Sequence, residues 1–242
     1  MLGLGNSIIS GVTLEDAFSL DQISGLLAWY KFDTNITLNG SNVSEWGDNS
    51  GNSNNLTQAT ASKQPAYNSG NIHFDETDDL MVMGTELTLT ASSGFTILAV
   101  ISTDSTAVAN QTLFSGGGVN GKNFFRYDST LWRFRPESGS ASQATITHAL
   151  TNGEKFLLTV IGSDSSGTLN FAVRDNGVAI GNATCPVTTG SDTFKLDRIA
   201  DHNTTNQLWD GKISEFVVYN TNLTGDDLTN AENDLTTRHS IS

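Results

Sequence analysis

Apolar residues fall in short runs along this chain, and the gaps between them are filled with Gly, Ser, Thr, Asn and Asp. Such runs, bounded by turn-forming residues, predict strands: a strand buries alternate side chains, while Gly, Asn and Asp accept the backbone angles that turns need. The first predicted strand covers 25–32, where Leu26, Leu27, Trp29, Tyr30 and Phe32 carry the pattern. Others are predicted over 71–74, 95–101, 111–114, 123–127, 131–135, 155–161, 168–174, 193–199 and 211–219. Within 131–135, Leu131, Arg133 and Arg135 alternate with Trp132 and Phe134, the period of a half-buried strand. Val43 and Trp46 are further core candidates.

The Asn- and Gly-rich stretch 47–55 predicts a loop, 163–167 a hairpin loop, and Asn176-Gly177 a tight type I′ turn. Periodicity changes only near the ends. Leu228, Ala231 and Leu235 stand at helical spacing, with Thr224 placed to cap and Asp226 and Asp227 in the first turn, where the helix dipole favours acids. Thr13 and Asp16 have the spacing of a second, short helix start. The whole predicts an all-β, two-sheet antiparallel jelly-roll sandwich over 23–242, with a short C-terminal helix and an N-terminal extension over 1–22.

Several local patterns resemble the concanavalin A-like lectin/glucanase superfamily, in its laminin G-like branch, over 23–240. Residues 23–33, with Trp29 and Tyr30, look like the opening strand of that fold. Trp46, Asp48, Ser50, Gly51 and Asn54 look like the tryptophan and Asp-x-Ser-Gly loop that follows. Residues 74–80 are similar to a recurrent acidic turn, 209–220 to the closing strand, and 223–228 to the start of the helix behind it. Glu76 stands where the family has Gly, so a side chain must tolerate that turn's backbone.

Composition narrows the functions open to such a fold. A formal net charge of −14 with only 12 Lys and Arg excludes nucleic acid as an expected partner. No segment has the length and apolarity of a membrane span. Cys185 is the only cysteine, so no intrachain disulfide forms, and a buried apolar role suits it. The paired acids of the glucanase members, Glu-x-Asp-x-x-Glu, do not occur, and the four histidines are dispersed, so no catalytic residues are expected.

Two binding chemistries remain. Sugar recognition needs aromatic faces flanked by polar groups, and Tyr127, Trp132, Arg133 and Arg135 form the candidate set; on that reading Trp132→Ala removes binding and leaves the fold intact. Calcium takes hard oxygen ligands, which Asp48, Asp75, Asp78 and Asp79 supply early in the chain and Asp201 and Asp210 late; the resemblance implies calcium as well. Residues 1–10 show no secretory signal, which, with the lack of disulfides, leads to the expectation of a non-enzymatic virion structural protein: a phage capsid decoration, head fibre or tail component. Leu2, Leu4, Ile8 and Ile9 would anchor it, its partners would be copies of itself, other virion proteins and host polysaccharide, and it would lie on the virion surface. The alternative is an extracellular or cell-surface carbohydrate-binding module; a glycoside hydrolase ranks last.

Overall fold

A computed structural model describes residues 18–116, 123–136, 143–164, 168–186, 193–202 and 207–242. The helix start expected at 13–16, the anchors Leu2, Leu4, Ile8 and Ile9, and most of the 163–167 loop lie outside the described residues. In chain order the strands are β1 (Leu26–Lys31), β2 (Ile36–Asn39), β3 (Asn42–Trp46), β4 (Leu56–Thr57), β5 (Ala66–Asn68), β6 (Asn71–Asp75), β7 (Met81–Thr90), β8 (Phe95–Thr103), β9 (Gln111–Ser115), β10 (Phe124–Asp128), β11 (Leu131–Arg135), β12 (Ala144–Thr147), β13 (Phe156–Asp164), β14 (Thr168–Asp175), β15 (Val178–Pro186), β16 (Thr193–Ile199) and β17 (Asp210–Tyr219), followed by helix α1 (Gly225–Arg238).

All pairings are antiparallel and form two arrays. The first runs β1-β17-β8-β13-β14-β15 and the second β7-β16-β9-β10-β11-β12. β6 pairs with the start of β17, and β5, β3 and β4 carry the hydrogen bonding from there to β7, so the two arrays join along one side. The β14–β15 connection is the predicted type I′ turn, with Asn176 and Gly177 both left-handed at φ 48° and 77°. Glu76 does take the left-handed conformation its position requires, at φ 62°.

Between the arrays lies a ladder of rings. Phe114 stacks on Phe125 at 4.9 Å, Phe125 on Trp132 at 4.8 Å, and Phe134 on Phe171 at 4.5 Å. Tyr127 and Trp132 belong to this ladder and are fully buried, which corrects their expected role as sugar platforms: neither ring has a face that a ligand can reach. The alternation of β11 carries the reason. Trp132 and Phe134 point inward, so Arg133 and Arg135 must point out, and the four proposed residues cannot share one surface.

β8 is buried at every position because the first array is covered on both faces. Ile97, Ala99 and Ile101 face the ladder, whereas Leu98 and Val100 face a second layer with Trp29, Leu157, Val217 and Tyr219. Ala231 and Leu235 of α1 close that layer together with Leu20 and Ile23. Glu215, 1% exposed, ties the helix down: it accepts hydrogen bonds from Trp29 Nε1 at 2.5 Å and Arg238 Nη1 at 2.7 Å, and contacts His239 Nε2 at 2.7 Å. Those bonds hold α1 for a turn beyond the end its apolar spacing predicts. Thr224 occupies the N-cap position, but its side chain makes no capping bond.

Candidate functional site

The outward side of the β10–β11 hairpin carries Phe124, Arg126 and Asp128 on one strand and Leu131, Arg133 and Arg135 on the other. Ser129, left-handed at φ 62°, turns the chain between them. The register sets Arg126 directly opposite Arg133 and Arg135 opposite Phe124. Three of the chain's 12 basic residues thus share a hairpin that holds one of its 26 acids, which inverts the sign of charge locally on an acidic molecule.

Asp128 is committed to Arg133, at 2.6 Å from Nη2. Arg126 is 8% exposed and lies over the Phe124 ring at 4.3 Å. Its Nη1 donates to Gln207 Oε1 at 2.7 Å, and Gln207 is held in turn by the Thr112 amide of β9 at 3.2 Å. Burial first, and then the charge of Arg133, pull the Arg126 guanidinium below its ordinary value, with Asp128 opposing. Arg126 Nε, Arg133 Nε and Thr112 Oγ1 are buried and have no hydrogen-bond partner, and Thr112 stands beside Arg126 in the β9–β10 register. Native interiors leave few such groups unpaired, and water or a ligand group can pair those on this face. Of the residues singled out for sugar binding, this face keeps Arg133 and Arg135. It adds Arg126, whose signal in the sequence was its position as far before the 129–130 turn as Arg133 is after it.

The acids divide differently from expectation. Asp48 is the hub of its own loop: its carboxylate accepts the amides of Trp29 (2.9 Å), Ser50 (2.8 Å) and Asn54 (3.0 Å) and the Ser50 hydroxyl (2.8 Å). Four bonds occupy the lone-pair positions of a carboxylate, which corrects its reading as a calcium ligand. Asp201 is paired with Arg198 at 3.1 Å. Asp210 stands opposite Asp75 in the β17–β6 register and in the field of Asp104, which bridges His73 and Lys212 at 2.8 and 2.5 Å. Asp75, Asp78 and Asp79 do come together, each offering an oxygen within 4.8 Å of the others. Burial first, and then Asp75, push the Asp79 carboxyl up to about 6. This crowded set of hard oxygens has the donor chemistry of a calcium site and would supply three carboxylate ligands to one.

A laminin G-type family described as the concanavalin A-like lectin/glucanases superfamily matches residues 74–229. No curated protein matches. Among solved structures, Trypanosoma rangeli sialidase is similar with a TM-score of 0.61 at 15% identity over 89% of this chain, which spans only 33% of the sialidase. The binding domain of Paraclostridial Mosquitocidal Protein 1 has a TM-score of 0.58 at 14% identity, covering 90% of this chain and 53% of that one. Domain 4 of AbnA, an extracellular arabinanase from Geobacillus stearothermophilus solved in complex with arabinotriose, has a TM-score of 0.57 at 17% identity, covering 84% of this chain and 96% of that domain.

Proposed function

The chain belongs to the concanavalin A-like lectin/glucanase superfamily, and on that premise we propose that it is a carbohydrate-binding domain that acts by recognition and not by turnover. The observation that carries this reading is the outward face of β9–β11, where buried donors without partners meet a cluster of arginines. The likeness to AbnA domain 4, which covers nearly all of that domain and was solved with a bound trisaccharide, supports it. The test is a broad glycan array probed with the full chain, followed by a search for hydrolysis of every glycan bound. Selective binding without release of sugar is expected; a blank array, or turnover of a bound glycan, overturns the reading.

The finer form of this proposal is display on the surface of a particle such as a virion, in several copies and alongside other particle proteins. What favours it is the disposition of the ends. Phe18 and Leu20 pack with α1 on the outer side of the first array, and Ile241 packs there too, whereas the arginines stand on the outer side of the second. Attachment through residues 1–17 would leave the arginine face pointing away. Their removal should abolish assembly onto such a particle and leave the domain folded; unchanged assembly sinks the display reading and leaves sugar binding standing.

A further inference from the structure

We infer that the ligand of the β9–β11 face is an acidic sugar, held by its carboxylate on Arg126 and Arg133; this rests on the carbohydrate-binding reading and names its substrate class. Among the described residues no carboxylate pairs with Arg126, and the one acid on its hairpin is taken by Arg133. A buried guanidinium without a counter-ion is unfavourable, and the like charge of Arg133 directly opposite adds to the cost. An anion from outside the chain relieves both. The donor geometry selects its shape. Gln207 occupies Arg126 Nη1 and the buried Nε has no partner, so the edge of the fork that remains for the two oxygens of a carboxylate is the one formed by Nε and Nη2.

Thr112 Oγ1, buried beside the charge and without a partner, adds a neutral donor or acceptor to the same face. Arg133 and Arg135 are half-buried and form the rim through which the ligand enters. A carboxylate on a sugar and a sulfate ester on a sugar present similar chemistry, and the planar two-oxygen group is the better match to the edge of Arg126 that Gln207 does not occupy. Nucleic acid is disfavoured, because the chain as a whole is strongly negative and only this patch is positive.

The test titrates the full chain by calorimetry and ligand-observed NMR with glucuronic, galacturonic and N-acetylneuraminic acids, their methyl esters, glucose and glucose 6-sulfate. At least one free acid should bind with a dissociation constant of about 10 mM or better, and its ester at least about tenfold more weakly. Arg133→Gln should weaken the acid by about tenfold or more, and Arg126→Lys, which keeps the charge but loses the fork, by a similar factor. The comparison of acid with ester needs no variant, so a folding defect in Arg126→Lys cannot obscure the outcome. Equal binding of acid and ester, or a preference for the sulfate, overturns the carboxylate inference and spares the carbohydrate reading. Binding unchanged in folded Arg133→Gln overturns the assignment of the site. No binding of any acid, against a glycan array positive for neutral sugars, overturns the inference alone; a blank array overturns both.

Discussion

Arg126 and Arg133 stand opposite one another across β10 and β11, and like charges so placed cost a sheet about 0.2–1 kcal/mol. The Arg133–Asp128 pair returns a similar amount. Replacing Arg133 by Gln is therefore expected to change stability by no more than about 0.5 kcal/mol in urea denaturation, while ligand binding falls. Trp132, one residue earlier, should behave in the opposite way: it is fully buried against Phe125 and Tyr127, and Trp132→Ala should cost about 3–5 kcal/mol. A well-folded Trp132→Ala protein that had lost only its ligand would overturn its assignment to the core. Asp79 gives a second contrast at this scale. Its carboxyl is pushed up to about 6 by burial and by Asp75, so the folded protein holds that proton more tightly than the unfolded chain, whose value is about 4. With metal chelated, stability should then rise as pH falls from about 7 through 6, the reverse of an ordinary ion-paired acid, and the gain should be complete near pH 4. Asp79→Asn should remove this dependence and add about 1–2 kcal/mol at neutral pH. Thermal melts in chelator at about pH 5 and 7.5 decide it, and calcium added to the unmodified chain at the higher pH should raise its melting temperature.

Elements show why some of this was legible in the chain and some was not. The run 95–101 reads directly as a buried strand, and the spacing of Ala231 and Leu235 reads as a helix; together they explain β8, whose second buried face exists because that helix covers it. Asn176-Gly177 fixes its turn locally, since the left-handed angles are written in those two residue types. The arginine face was only half legible. Strict alternation in β11 already separates Arg133 and Arg135 from Trp132, but that Arg126 joins them depends on cross-strand register, and that Nε is left without a partner depends on packing by Gln207. Asp48 reads as a calcium ligand in the sequence because a carboxylate saturated by its own loop and one free for a metal have the same local sequence. The attachment of α1 was not legible at all, since Glu215 meets Trp29 and His239 from distant parts of the chain. Glu215→Ala would leave Trp29 Nε1, Arg238 and His239 facing a buried gap, and should cost about 3–5 kcal/mol. Hydrogen exchange should find the amides of α1 losing protection before those of β8; uniform loss across the domain would mean that helix and sheet unfold as one unit.

At the scale of the whole molecule, a positive face sits on a domain of net charge −14, and the two act over different distances. In dilute salt the field of the domain reaches about 30 Å and repels an approaching acidic glycan, whereas at physiological ionic strength it fades within about 8 Å and leaves the arginine contacts largely intact. Association with an acidic glycan surface should therefore become faster, not slower, as salt rises from about 10 to 150 mM, the reverse of ordinary attraction between opposite charges. One weak site gains little from this alone, but both described ends of the chain pack on the helix-covered side, away from the arginines. Fusing several copies to an oligomeric scaffold through the C-terminus, or directly at Phe18 with residues 1–17 removed, should therefore present every arginine face outward together, and should raise apparent affinity for a dense acidic surface by about 10²–10⁴. Surface plasmon resonance on an immobilised acidic glycan, with monomer and fused oligomer compared across that salt range, measures both effects. A fall in association rate with added salt would mean that binding is steered by long-range attraction and that the acidic bulk of the domain is not what the ligand meets first. A gain from multivalency through neither end would put the ligand on the same side as the helix.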